Sequence, residues 1–101
     1  MRTRNMFERL THLKNILEML KGKENLYYGE YAAYANISMS YASNLFRMLA
    51  YRFNIPHSYG VIDNPSDEKI NEFIQQIEEE IDRLSRQEGE NKKIKNRGVM
   101  D

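Results

Sequence analysis

Apolar residues recur at helical spacing near the start of the chain. Met6, Leu10, Leu13, Leu17 and Leu20 follow at intervals of four and three, and Phe7 and Ile16 widen the stripe. This period places them on one face of an amphipathic helix. Asn5 with Glu8 fits a capping box and Gly22 is a natural stop, so the pattern predicts a first helix from about Met6 to Lys21.

A second apolar stripe lies towards the end of the chain. Its members repeat at intervals of four and three with one aromatic residue beside them: Ile70, Phe73, Ile74, Ile77, Ile81 and Leu84. Such a heptad seam is typical of helices that pair. Asn64 and Pro65 suit the start of a helix, which we predict over residues 64–87. These six residues predict a homodimer; the alternative is a fourth helix packed within one chain.

The segment between the stripes predicts a helix, a tight turn and a second helix. Asn36 tolerates a left-handed turn, and Ser38 stands where an N-cap belongs. Ala32 allows a close approach of the two helices, while Ala42, Leu45 and Leu49 form an inner stripe. A helix-turn-helix of this kind places its second helix in the DNA major groove. The alternative is an ordinary pair of core helices.

Outward positions of the second helix carry short, polar or flat side chains. Asn can bond adenine, Ser can bond either base type, and Tyr or Met can touch a thymine methyl. Arg47 shares the face of Asn44, and Arg52 suits the DNA backbone. With two residues of the following segment, the predicted DNA-binding set is Ser38, Met39, Ser40, Tyr41, Ser43, Asn44, Arg47, Arg52, His57 and Tyr59.

The segment after Arg52 predicts a short hairpin. Pro56, Ser58 and Gly60 are turn residues, and Val61-Ile62 are strand residues. A further short strand is predicted at Leu26-Tyr27. The hairpin carries no Lys or Arg, which leaves His57 and Tyr59 as its phosphate contacts. An ordered loop without strands is the alternative.

Composition limits the class of protein. A chain of 101 residues with 41% apolar residues and no Cys fits one small domain without disulfides or thiolate metal sites. No apolar run reaches membrane-spanning length, and the N-terminus lacks a signal-peptide core. We therefore expect a cytoplasmic, nucleoid-associated protein that needs no cofactor and does not contact membranes.

The net charge of zero hides a strong asymmetry. Residues 1–60 hold eight basic residues (Lys or Arg) and four acidic residues. Residues 61–90 hold three basic and ten acidic residues, and residues 91–101 hold four basic residues and one acidic residue. The positive part attracts phosphates, and the acidic part should point away from DNA. The prediction is a flexible basic arm (1–5), a head (6–63), a dimerisation helix (64–87) and a disordered basic tail (88–101) that would add DNA affinity or bind an adaptor protein.

No set of residues predicts catalysis. Glu78, Glu79 and Glu80 are consecutive and therefore point in different directions around a helix. The two histidines are far apart in sequence, and no Gly-rich phosphate loop is present. We expect no enzymatic activity and no metal site.

One motif resembles a known family. Ala32, Asn36, Ile37, Ser38, Tyr41, Ala42 and Ser43 resemble the helix-turn-helix pattern, with Asn in place of the usual turn Gly and Tyr in place of the usual Thr. Over about residues 6–85 the layout is similar to compact winged helix-turn-helix dimers of archaea and bacteria. These include PadR-like regulators, archaeal dimers with a C-terminal coiled coil, and the site-binding component of archaeal plasmid-partition systems. The resemblance implies a mainly α fold with a short wing and a long C-terminal dimerisation helix. It also implies reader positions at Ser38, Ser40, Tyr41, Ser43, Asn44 and Arg47.

Three functions fit this sequence. The first is a homodimer that binds specific double-stranded DNA sites and regulates transcription. The second is a plasmid-partition protein that binds a centromere-type site, spreads on DNA and recruits an adaptor. The third is a helical protein-interaction module that does not bind nucleic acid. Salt-sensitive retention on duplex DNA would separate the third from the others.

Overall fold

A computed structural model describes the backbone of residues 2–100 and the side chains of residues 6–86. Within this range the chain is mainly helical with one small sheet, as predicted. In chain order the elements are α1 (Arg2–Leu20), β1 (Asn25–Tyr27), α2 (Tyr28–Ala35), α3 (Met39–Phe53), β2 (His57–Ser58), β3 (Val61–Asp63) and α4 (Asp67–Met100).

Helices α1 and α4 pack against each other in antiparallel directions. The predicted stripe of α1 is buried, with Leu10, Leu13, Ile16, Leu17 and Leu20 all in the core. The end of α1 meets the start of α4, where the Gly22 N–H donates to Asp67 Oδ1 at 3.1 Å. Further along, Lys14 Nζ lies 3.3 Å from Glu78 Oε2. The first and last helices of the chain thus form one antiparallel pair.

The first part of the α4 stripe is used within the chain. Ile70, Ile74 and Ile77 expose 0%, 9% and 0% of their surface and belong to the same core as α1. These three residues were predicted to hold a dimer, and within the chain they pack in the core instead, as in the alternative of a fourth helix packed within one chain. A heptad seam accepts any complementary apolar stripe, and packing on α1 avoids the entropy cost of association.

The rest of the α4 stripe is only partly covered. Ile81 and Leu84 are half-buried against the core. Phe73 stacks on Phe53 of α3, with ring centroids 4.2 Å apart and an interplanar angle of 16°. These three residues keep some surface open to solvent.

The three short strands form one antiparallel sheet. Strand β3 is central, with order β1-β3-β2, and it pairs Ile62 with Leu26, both buried. Between β2 and β3, Tyr59 and Gly60 have φ of +53° and +78°. Positive φ at both central residues is the mark of a tight hairpin turn. The predicted hairpin and the strand at Leu26-Tyr27 are confirmed, and the alternative of a strandless loop is wrong.

Both terminal helices are longer than predicted. Helix α1 begins at Arg2, within the segment predicted to be a flexible arm. Helix α4 reaches Met100, through the segment predicted to be a disordered tail. The residues from Arg2 to Asn5 include no Gly or Pro, and each Gly inside a helix costs only about 1 kcal/mol. The side chains of the predicted arm and tail lie outside the described residues.

Candidate nucleic-acid interface

The turn between α2 and α3 has the predicted geometry. Asn36 is left-handed, with φ 58° and ψ 47°, and its N–H donates to the Ala32 carbonyl. The Ile37 N–H donates to the same carbonyl at 3.0 Å. Ser38 caps α3, because its hydroxyl accepts the Tyr41 N–H at 3.0 Å. Three residues therefore end one helix and begin the next, through local bonds alone.

The C-terminal end of α3 repeats this arrangement. Asn54 is left-handed with φ 55°, and its N–H donates to the Ala50 carbonyl. The Ile55 N–H reaches the same carbonyl at 3.0 Å. In such caps an apolar residue after the left-handed one packs on the helix, and Ile55 is buried. Helix α3 therefore has defined bonds at both ends.

The inner face of α3 is apolar and tightly packed on α2. Ala42, Leu45 and Leu49 are buried, as predicted, and so are Tyr31 and Ala32 of α2. Phe46 is also fully buried, although it was not among the predicted inner residues. Its place four residues after Ala42 on the same helical face was the available signal.

The outer face of α3 forms an exposed ridge. Its members are spaced by four, three and four residues and therefore share one helical face: Ser40, Asn44, Arg47 and Tyr51. Met39 and Met48 are also exposed. We call these six residues the outer ridge. Tyr51, which is 91% exposed, and Met48 were absent from the predicted set. Their spacing from Asn44 and Arg47 would have placed them there.

Two predicted reader residues lie at the flanks of the ridge. Tyr41 is half-buried and meets the ring of His12 edge-on at a centroid distance of 5.6 Å. Burial raises the pKa of the Tyr41 phenol, and the carboxylate of Glu8 raises it further. Ser43 is half-buried on the opposite flank. Neither is sealed in the core, but both are less open than Asn44.

Arg52 is held within the chain. Its guanidinium forms an ion pair with Glu80 of α4 and lies over the Phe53 ring, 5.4 Å from the centroid. This pairing directs Arg52 towards α4 rather than along the outer ridge. It differs from the predicted contact with the DNA backbone, and its acid partner lies 28 residues away in sequence.

The two hairpin residues of the predicted set differ in exposure. His57 is half-buried and pairs with Ile62 in the sheet. Tyr59 stands at the tip of the hairpin and is 98% exposed. Gly60, the next residue of the turn, lies directly against the Tyr28 ring, since a Cβ added at Gly60 would lie 2.5 Å from two ring carbons of Tyr28. The hairpin tip is therefore anchored to the start of α2 while Tyr59 faces solvent.

The stretch of chain that contains α3 holds no acidic residue. No Asp or Glu occurs between Tyr31 and Ile62. Beside the middle of α3, a shallow cleft is lined by Arg9 of α1 together with Tyr41, Asn44, Arg47 and Met48. Arg47 Nη2 donates to Asn44 Oδ1. Arg9 was not predicted, since only folding brings α1 beside α3.

His12 connects the helices beneath this face. Its Nδ1 lies 2.6 Å from Tyr31 Oη, and its ring also meets the Tyr41 ring. His12 falls off the main apolar stripe of α1, and it is half-buried where Tyr31 of α2 and Tyr41 of α3 lie against its ring. Burial of the Tyr31 phenol raises its pKa.

The acidic and histidine side chains of residues 6–86 are dispersed. No three His, Cys, Asp or Glu side chains among those described could hold a metal ion. Glu78 and Glu80 bond separately to Lys14 and Arg52, which confirms that the three consecutive glutamates diverge. Within the described helices, none is long and apolar enough to cross a membrane.

Comparison with protein families, with curated proteins and with solved structures gave no match.

Proposed function

We propose that this chain is a winged helix-turn-helix protein that binds specific double-stranded DNA sites as a homodimer and regulates transcription. The outer ridge of α3 carries the proposal. It is an exposed polar face on a helix capped at both ends, and it lies in a stretch of chain without acidic residues. A helix that presents such a face suits a DNA major groove.

The order of the elements supports the same function. A helix, a strand, two helices joined by a short turn and a closing hairpin follow one another, and β1 pairs with β3. A winged helix-turn-helix has its elements in this order, and in the proposed fold the hairpin would be the wing. The wing is short, and Tyr59 at its tip is the side chain available to meet a phosphate or sugar.

Each part of the outer ridge has a role in this proposal. Asn44 can bond the edge of adenine, and Arg47 can bond guanine in two places. Ser40 stands earlier on the same face, and Met39 suits a thymine methyl. Tyr51 lies further along the helix, where it would meet the DNA backbone. Arg47 and Asn44 already bond to each other, so each orients the other before DNA arrives.

The dimer would use the part of the α4 stripe that the chain leaves open. Ile81 and Leu84 are only half-buried, unlike Ile70 and Ile77. Two such patches, one on each copy, would cover one another in a symmetric dimer.

Selection of bound sequences from a random duplex pool tests DNA binding. The parent protein should enrich a defined site, and its affinity should fall as salt rises. Asn44→Ala and Arg47→Ala should each weaken binding to that site by about 1–3 kcal/mol. The matched control is Arg83→Ala, an exposed arginine on α4 outside the ridge. Equal binding by all three variants and the parent would refute the assigned face.

Sedimentation velocity tests the dimer. The parent should sediment as a dimer at micromolar concentration, and Leu84→Glu should shift it to monomer. Ser85→Glu adds the same charge at the neighbouring exposed position and should leave the dimer intact. A parent protein that is monomeric throughout this range would remove the dimer from the proposal.

A further inference from the structure

The shallow cleft beside α3 brings together two guanidinium groups from different helices. Arg9 enters it from α1 and Arg47 from α3, and both residues are exposed. Tyr41, Asn44 and Met48 complete the lining. The cleft is therefore built by tertiary packing of two helices rather than by one helix end.

Neither guanidinium is neutralised by a carboxylate within the described side chains. Ion pairs there involve Lys14, Lys23, Arg52 and Arg86 instead. Glu8, the acid next to Arg9 in sequence, forms no ion pair with either arginine in that set, although its carboxylate lies near enough to raise the pKa of the Tyr41 phenol. The two positive charges of the cleft thus remain available to an anion.

The other lining groups suit a phosphate. Asn44 Oδ1 accepts from Arg47 Nη2 and so holds that guanidinium in place. Tyr41 adds a phenolic hydroxyl on a half-buried side chain. Guanidinium groups bind phosphate oxygens through paired N–H donors, with a geometry that an ammonium group lacks.

We propose that this cleft binds one phosphate group, with Arg9 as its anchor from α1. The phosphate would come from the backbone of the bound duplex or from a small phosphorylated molecule. With a duplex, Arg9 clamps one strand at the edge of the groove that α3 enters, and this source rests on the proposed function. With a small molecule, the occupied cleft would withhold Arg47 from DNA and so release the protein.

The first experiment measures DNA binding by Arg9→Gln as a function of salt. For a backbone phosphate, affinity should fall about three- to tenfold on every sequence, and the slope of log affinity against log salt should shrink by about one. Arg83→Gln removes an exposed arginine from α4 and should change neither quantity. Arg9→Lys keeps the positive charge but lacks the paired N–H donors of the guanidinium, so its DNA affinity should lie between those of Arg9→Gln and the parent. Circular dichroism confirms that each variant is folded.

The second experiment titrates inorganic phosphate into DNA-free protein and follows the arginine Nε–H signals by NMR. For a small phosphorylated ligand, millimolar phosphate should shift the signals of both Arg9 and Arg47 and should compete with duplex. Both effects should disappear in Arg9→Gln. Shifts spread over all arginines would instead mean nonspecific ion screening and would count against the site.

The outcomes separate this inference from the proposed function. If Asn44→Ala weakens DNA binding while Arg9→Gln changes neither DNA binding nor the phosphate shifts, the cleft inference fails alone. If the parent binds no duplex, the proposed function fails, and the phosphate titration still decides whether the cleft takes an anion. A loss of DNA affinity in Arg9→Gln without phosphate shifts would identify the DNA backbone as the source.

Discussion

Helices α3 and α4 each bury one apolar stripe in the same core, but their opposite faces differ. The face of α4 is acidic, and residues 61–90 hold ten acids against three basic residues. The outer face of α3 holds no acid and presents Asn44, Arg47 and Tyr51. The apolar stripes reveal which residues fill the core, whereas the outer faces indicate which partners each helix can meet.

The comparison also shows that a strong apolar seam does not identify its partner. The stripe of α4 has the period of a coiled coil, yet its first three isoleucines pack on α1 of the same chain. The stripe of α3 is less regular, and its outer face is the one that carries the proposed function. Substitutions in α4, at the start of α3 and in the hairpin that follows α3 test these contributions.

Ile77→Ala should have the largest effect. Ile77 is fully buried, and its truncation leaves a cavity between α4 and α1 that should cost about 2–5 kcal/mol of unfolding free energy. Urea denaturation followed by circular dichroism measures the loss. Because the site lies within one chain, the loss should not depend on protein concentration. The exposed neighbour Glu79 supplies the control Glu79→Ala, and equal losses in the two variants would contradict the placement of Ile77 in the core.

Gly60→Ala should follow in magnitude and tests the hairpin after α3. Gly60 and Gly22 both have positive φ, near +80°, but only Gly60 lies against a side chain, the ring of Tyr28. Backbone strain and overpacking together should cost about 2–4 kcal/mol at Gly60. Gly22→Ala should show the strain alone, about 1–2 kcal/mol. Chemical denaturation of both variants gives the difference, and a smaller loss at Gly60 than at Gly22 would argue against anchoring of the hairpin on α2.

Ser38→Ala should have a moderate effect at the start of α3. The change removes the acceptor for the Tyr41 N–H and should cost about 1 kcal/mol of unfolding free energy. Ser40→Ala changes the same residue type two positions later, on the exposed face, and should cost less. Amide hydrogen exchange of the first turn of α3 should be faster in Ser38→Ala alone. Unchanged exchange there would mean that the cap does not hold the turn.

Substitution of Asp67 should have the smallest effect on the free energy of unfolding, and this effect should depend on pH. Hydrogen bonds from the Asn64 amide and then the Gly22 N–H lower the pKa of its carboxyl. The folded state therefore favours the carboxylate more than the unfolded chain does. This contribution is fully present above the ordinary value of about 3.9 and is lost as pH falls through the lower folded-state pKa.

Denaturation midpoints measured between about pH 2 and pH 5, a window around the ordinary carboxyl pKa, would test this. Asp67→Asn should flatten the decline in stability towards low pH, whereas Glu68→Gln, at the next and exposed position, should flatten it less. A steeper decline in Asp67→Asn would show that the sign is wrong.

Local features of the fold could be predicted from sequence. The left-handed turn at Asn36, the cap at Ser38 and the strands beside Leu26 and Ile62 depend on neighbours a few residues away. Such features can be predicted from the sequence because turn and cap preferences are properties of single residues.

Long-range pairings could not be predicted in the same way. The partner of the α4 seam could have been α1 or a second copy, since both offer apolar stripes of the same period. The Arg52–Glu80 ion pair and the His12–Tyr31 hydrogen bond join residues 28 and 19 positions apart. The place of Arg9 beside α3 likewise depends on helix packing, which no local pattern encodes. The outer positions of Met48 and Tyr51, by contrast, could have been predicted from helical spacing alone.

The paired asparagine caps have one more consequence. Asn36 ends α2 and Asn54 ends α3 through backbone hydrogen bonds, and the Ser38 hydroxyl caps the start of α3. Unwinding α3 or adding a turn to accommodate a poor fit would break one of these bonds. If α3 enters a groove, it does so as a rod of constant length. Any adjustment must then come from bending or widening of the DNA. Stiff tracts, or tracts with a narrow groove, beside the cognate site would therefore lower the binding affinity even though the protein does not contact their bases.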